Sequence, residues 1–238
     1  MTEPLRSEKR MTEHDLQRVL TATWGGGEGL VLDNEERLLL VGWEVMTDYR
    51  INDAAAGFGL PAADFVFLDR GGVLVVAELK LSVRTPRECW SVLCQVSHRA
   101  HALRAAYTPA NLEQAHRACL SGTHGRTSPE PGERTSTPES SVAGRVEVVV
   151  PPVVQDRHQQ LYGHHHPVRV DHDRVRRLVL AQSYGPRWPA VRDVFDHDQP
   201  SARRAIDQYS SRRHTDLDRW LRLDPPARFV SPIEQAHV

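Results

Sequence analysis

The stretch Ala63-Asp64-Phe65-Val66-Phe67-Leu68-Asp69-Arg70-Gly71-Gly72-Val73-Leu74-Val75-Val76-Ala77-Glu78-Leu79-Lys80-Leu81 sets the fold of this chain. Its two flanks are apolar except for Asp64 in the first and Glu78 and Lys80 in the second. Asp69-Arg70-Gly71-Gly72 between them is a turn signal, so the spacing predicts a hairpin of two mostly buried strands. A three-residue loop, Arg70-Gly71-Gly72, places Asp69 opposite Val73. Such loops combine a type I turn with a left-handed residue, and Gly72 takes that conformation without steric cost. Counting back from the turn, Asp64 then falls opposite Glu78. Opposed residues share a face with Cβ atoms about 4.5–5.5 Å apart, and Lys80, two residues on, joins them. A two-residue loop would send the groups to opposite faces.

Two adjacent carboxylates repel each other, and burying them without a partner is costly. A divalent cation relieves both problems. Magnesium takes hard oxygen ligands, commonly only one or two carboxylates, and keeps water and substrate phosphate in its other positions. A neighbouring lysine can orient or deprotonate the attacking water and stabilise charge on phosphate. Such a constellation suits hydrolysis of phosphodiesters with a metal as Lewis acid. The competing interpretation is a solvated Glu78–Lys80 pair near a strand end. Composition weighs against it: of 30 basic residues only Lys9 and Lys80 are lysines, the other 28 being arginines. Arginine serves wherever generic positive charge is needed, so a lysine within an apolar strand calls for a specific role.

Asp64, thirteen intervening residues, then Glu78-Leu79-Lys80 resembles the signature of the PD-(D/E)XK nuclease superfamily. Ala63-Asp64 stands in place of the Pro-Asp pair, and Val73-Leu74-Val75-Val76-Ala77-Glu78-Leu79-Lys80 is similar to the corresponding strand of the RecB-like branch. The resemblance covers about Glu44–Ala105. It implies an α/β fold with a restriction-endonuclease-like core, a central mixed sheet flanked by helices. It also implies an Mg²⁺- or Mn²⁺-dependent nuclease, most simply a DNA endonuclease of defence or repair type. Asp64, Glu78 and the Leu79 carbonyl would hold the metal, Lys80 would serve the water or the phosphate, and Gln95 on the following helix would support them. RecB-like members often carry Gln-x-x-x-Tyr on that helix; here Arg99 occupies the tyrosine position. Family members often add an upstream acid, for which Glu35, Glu36 and Glu44 are the alternatives. Cleavage of two strands with one site per chain would favour a homodimer. The alternative function is a catalytically silent nucleic-acid-binding or assembly subunit with the same fold.

Composition sets the remaining bounds. With 39% hydrophobic and 26% charged residues and a net charge of −1, the 238-residue chain is an ordinary globular protein rather than a polycation. Three cysteines, Cys89, Cys94 and Cys119, form neither a disulfide framework nor a zinc ribbon, and no stretch is apolar enough to span a bilayer, so a reduced, cytoplasmic protein is expected.

Around the hairpin, Thr12 caps a helix with acidic residues in its first turn, stopped by Trp24-Gly25-Gly26-Gly27. Asp33–Val45 reads equally as a helix capped by Asn34 or as a buried strand, and Glu44–Ile51 as extended. Thr85-Pro86-Arg87-Glu88 opens a helix reaching about Ala105, and another covers Ala110–Leu120. Residues 1–120 are thus the first part of the core. Ser121–Gly144, rich in Ser, Thr, Pro, Gly and Glu, is a low-complexity insertion. Residues 145–238 supply strands at Arg145–Val150 and Arg177–Ala181 and Arg-rich helices at Ser201–Tyr209 and His214–Leu223. His164-His165-His166 reads as a solvated, proline-terminated loop, since consecutive residues cannot all face one metal. A regulatory transition-metal role for it is the weakest of the functional alternatives. Arg176-Arg177, Arg203-Arg204 and Arg212-Arg213 either line a nucleic-acid groove or form a solvated surface.

Overall fold

A computed structural model describes residues 11–32, 35–46, 62–84, 86–106, 109–123, 150–184 and 228–230. The elements run α1 (Glu13–Gly25), β1 (Leu30–Val31), β2 (Arg37–Met46), β3 (Ala62–Leu68), β4 (Val73–Val83), α2 (Pro86–Ala106), α3 (Pro109–Leu120), α4 (Pro152–Tyr162), β5 (Asp171–Tyr184) and β6 (Arg228–Val230). The strands form one sheet in sequence order. Pairing is antiparallel from β1 to β4 and parallel from β4 through β5 to β6. The chain is therefore α/β with a mixed sheet flanked by helices.

Alternation along the strands sorts the core into two layers. On one face Leu16, Leu20 and Trp24 of α1 pack on Phe65, Phe67, Val75, Ala77 and Leu79. Trp24 meets both phenylalanines edge-on, at 5.1 and 5.5 Å between ring centres. On the other face Val92, Val96 and Ala100 of α2, with Ala115 of α3 and Val154 of α4, cover Val66, Leu74, Val76 and Val179. β4 is central, buried on both faces, which is why its sequence is a nearly continuous apolar run.

The expected hairpin has the odd-length turn. Asp69 N–H donates to the Val73 carbonyl at 3.0 Å and Gly72 N–H to the Asp69 carbonyl at 3.1 Å. Gly72 is left-handed, with φ +86°. The Asp69 carboxylate also accepts from the Gly71 and Val73 amides, both at 2.9 Å, locking the turn from inside.

Thr12 caps α1 in a reciprocal capping box with Asp15. The ambiguity at Asp33–Val45 resolves as strand β2, because Leu39–Met46 pairs with β3 and buries apolar side chains on both faces; Asn34 lies outside the described residues. α2 and α3 start within a residue or so of the expected positions. At the start of α2, Glu88 accepts from the Arg84 amide at 2.7 Å; Thr85, expected as its capping partner, is outside the described residues. The strand expected at Arg177–Ala181 is longer, as β5. α4 was not foreseen, although Pro152 stands at its tolerated first position. The strand at Arg145–Val150 (Val150 excepted), residues 124–144 of the insertion and the helices at Ser201–Tyr209 and His214–Leu223 fall outside the described residues. Among the described residues no helix is long and apolar enough to cross a membrane.

Candidate active site

The β3–β4 rungs run from Leu68–Leu74 to Phe65–Ala77, so the next rung in that register joins Asp64 to Glu78. Asp69 and Val73 are a hydrogen-bonded pair, and alternation makes Asp64–Glu78 a non-hydrogen-bonded one, the type with closer side chains. Continued regularly, the ladder would give the Leu79 N–H to the Ala63 carbonyl. Instead the Asp64 carboxylate accepts it, at 2.7 Å. The acid thus ends the ladder and turns its side chain toward β4.

Glu78 is 2% exposed. Its Oε1 lies 3.3 Å from Lys80 Nζ and its Oε2 2.6 Å from Arg99 Nη1. Arg99 also donates through Nε to the Ala62 carbonyl, which ties α2 to the start of β3. Glu13, first residue of α1, reaches the same strand end. Its carboxylate accepts from the Leu81 amide at 3.4 Å and from Lys80 Nζ at 3.5 Å. Asp64, Glu78 and Lys80 therefore converge as the odd-length turn requires, joined by Arg99 and Glu13.

Burial is the first influence on these groups. It pushes the Glu78 carboxyl up to about 7, reinforced by the charge of Asp64 and only partly offset by Arg99 and Lys80. Burial likewise raises Asp64, against the pull of Lys80, the Leu79 amide and Arg99. For Lys80 burial acts downward, but Glu78, Asp64 and Glu13 together outweigh it and the amine ends above its ordinary value. Lys80 is therefore a fixed positive charge and hydrogen-bond donor at neutral pH.

Of the three upstream alternatives, Glu44 falls level with Asp64, between the Trp43–Phe65 and Val45–Ala63 rungs of β2 and β3, and Glu13, which is none of the three, is the acid in contact with Lys80. Glu36 binds Arg176 at the turn end of the sheet, through Nη1 and, at 2.9 Å, through Nη2. Glu35 is exposed in the turn before β2, at φ +61°. Glu44 approaches His14 Nδ1 at 3.9 Å. For Glu13 the signal available in the sequence was its place at the start of a helix, which alone reads as favourable dipole chemistry. Arg99 was visible only as a departure from a pattern.

Gln95 lies one turn before Arg99 on α2, hence on the same helix face. Its side-chain oxygen is buried without a hydrogen-bond partner among the described residues. Of the arginines considered for a groove, Arg177 is buried and donates to Ser97 Oγ at 2.8 Å, and Arg176 is committed to Glu36 and Asp69. Neither is free to line a groove; Arg203-Arg204 and Arg212-Arg213 lie outside the described residues.

Among the described residues no group of three or more His, Cys, Asp and Glu side chains is gathered as a metal cage. Asp64 and Glu78 with the Leu79 main chain still make a donor set of the size magnesium uses. Burial is the main cause of both raised carboxyls, and a bound cation would act against it. Searches against protein-family models, curated proteins and solved structures each found no match.

Proposed function

We propose that the chain is a metal-dependent nuclease that hydrolyses phosphodiester bonds of DNA and has a restriction-endonuclease-like core. The observation that carries this is the meeting of Asp64, buried Glu78 and Lys80 at one strand end, with Glu13 and Arg99 beside them. Asp64 and Glu78, with the Leu79 carbonyl, would hold Mg²⁺ or Mn²⁺. Bound there, the ion would supply Lewis acidity and an activated water. Lys80, held protonated, would present charge to the phosphate. Gln95, with an amide oxygen still to be satisfied, would help orient water or substrate. Pairing of Arg99 with Glu78 balances the site until a cation takes its place.

Incubation of the purified chain with plasmid, linear and single-stranded DNA and with RNA, with and without Mg²⁺ or Mn²⁺, tests this. Cleavage should require the ion, and Asp64→Asn and Lys80→Ala should fold normally and lose at least about 100-fold in rate. Retained activity in the double variant would end the proposal.

One observation favours a second function. Both Glu78 oxygens already have cationic partners, as in a site that has exchanged its metal for an arginine. The chain would then bind nucleic acid or assemble with partners without turnover. Magnesium calorimetry separates the two, since only the nuclease should show metal uptake that disappears in Glu78→Gln.

A further inference from the structure

At the turn end of the hairpin, on the same face of the sheet as Glu78 but at the opposite end of the β3–β4 ladder, α4 ends in a cluster of rings. Gly163, left-handed at φ +66°, caps the helix and donates its N–H to the Gln159 carbonyl at 2.8 Å. That reversal brings His164 back over the last turn. Its ring lies parallel to Tyr162, with centres 6.2 Å apart, and 5.0 Å from the ring of His158. His158 is fully buried. Its Nε2 lies 2.8 Å from the Asp69 carbonyl. A carbonyl only accepts, so Nε2 carries the proton and Nδ1 holds a bare lone pair. This Nδ1 is buried and without a hydrogen-bond partner among the described residues, and so is the Nδ1 of His164.

A buried lone pair without a donor is costly. An imidazole whose other nitrogen donates to a backbone carbonyl is the form metal-ligating histidines take, since that bond fixes tautomer and ring orientation. Spacing agrees. A zinc ion about 2.1 Å from each nitrogen lies roughly 3.2 Å from each ring centre, and a tetrahedral angle then sets the centres about 5 Å apart. The nearby polar groups are otherwise engaged. The Asp69 carboxylate serves Gly71, Val73 and Arg176, and the Tyr162 hydroxyl donates to the Arg37 and Leu68 carbonyls.

We propose that Nδ1 of His158 and Nδ1 of His164 form a two-histidine site for a transition-metal ion of the zinc class. Half-buried His164 leaves the other coordination positions open to water. The ion ties the C-terminal turn of α4 to the segment entering β5. Through the His158–Asp69 bond it also fastens both to the hairpin turn, so its role is structural and separate from Asp64 and Glu78. Burial lowers the pKa of His158, which favours the neutral form that ligation requires.

The test is calorimetric titration of the full chain with Zn²⁺, paired with thermal melting. The wild type should take up one equivalent with a melting shift, and Asp64→Asn should retain both. His164→Phe keeps a ring against Tyr162 and removes both nitrogens; it should weaken binding at least tenfold and abolish the shift while its circular dichroism stays native. The paired His165→Ala, His166→Ala variant should keep the site. Absence of uptake by the wild type, or undiminished uptake by His164→Phe, overturns the proposal.

Discussion

Glu78 concentrates the chemistry of the candidate site in one residue. Its carboxyl is lifted by burial and by Asp64, and pulled back by Arg99 and Lys80. Ligation of a cation needs the ionised form, so metal uptake and cleavage should rise with pH through about 7. Arg99 counters the lift, so Arg99→Gln should move the midpoint of that profile to higher pH. A profile of metal uptake measured for both proteins at subsaturating Mg²⁺ checks this, and an unmoved midpoint would remove Arg99 from the electrostatics of the site. Glu78 and Lys80 were legible in the sequence because charge within an apolar strand is conspicuous. Arg99 and Glu13 were not, for a physical reason. An arginine on a helix and a glutamate at a helix start each have ordinary local explanations. Only docking of α1 and α2 on opposite faces of the sheet brings them to the end of β4.

At the scale of the element, the three-residue turn determines which face the acids share. Its requirement was readable because it follows from counting and from one glycine. Gly72 is also held by its surroundings: an added Cβ would run into the Arg169 carbonyl oxygen and lie 2.7 Å from Val168 Cγ1. Backbone strain and collision act together, so Gly72→Ala should destabilise the fold by about 3 kcal/mol, near the upper end for single substitutions. Urea denaturation measures it. Gly71→Ala, whose nearest neighbour to an added Cβ is an Asp69 oxygen at 3.5 Å, should cost less than about 1 kcal/mol. The strand β2 and the helix α4 were less legible. Leu38-Leu39-Leu40-Val41 has no periodicity that separates a buried strand from a buried helix. The proline pair at the start of α4 reads first as a breaker, and only the chain geometry shows Pro152 in the position a helix tolerates.

For the whole molecule, holding an acid in the centre of a sheet links stability to pH. The folded protein binds the Glu78 proton more tightly than the unfolded chain, with the carboxyl at about 7 rather than 4.5. Its contribution is therefore fully present below about pH 4.5 and is lost as pH rises through about 7, with an upper limit of order 3 kcal/mol. Glu78→Gln, which cannot ionise, should gain on the wild type by up to that amount between pH 4.5 and 8 in chelator, and Mg²⁺ should narrow the gap by stabilising the wild type alone. Melts at both pH values, with and without Mg²⁺, report the outcome. The parallel pairing of β4 with β5 adds a consequence in time. Asp64 and Glu78 are fourteen positions apart, joined by a tight turn, whereas Glu78 pairs with Val179 about one hundred positions later. Local closure is fast and the distant pairing slow, so during synthesis the two acids meet long before β5 has emerged to bury them. For that interval they share water rather than protein, and their proton affinities are those of an open hairpin.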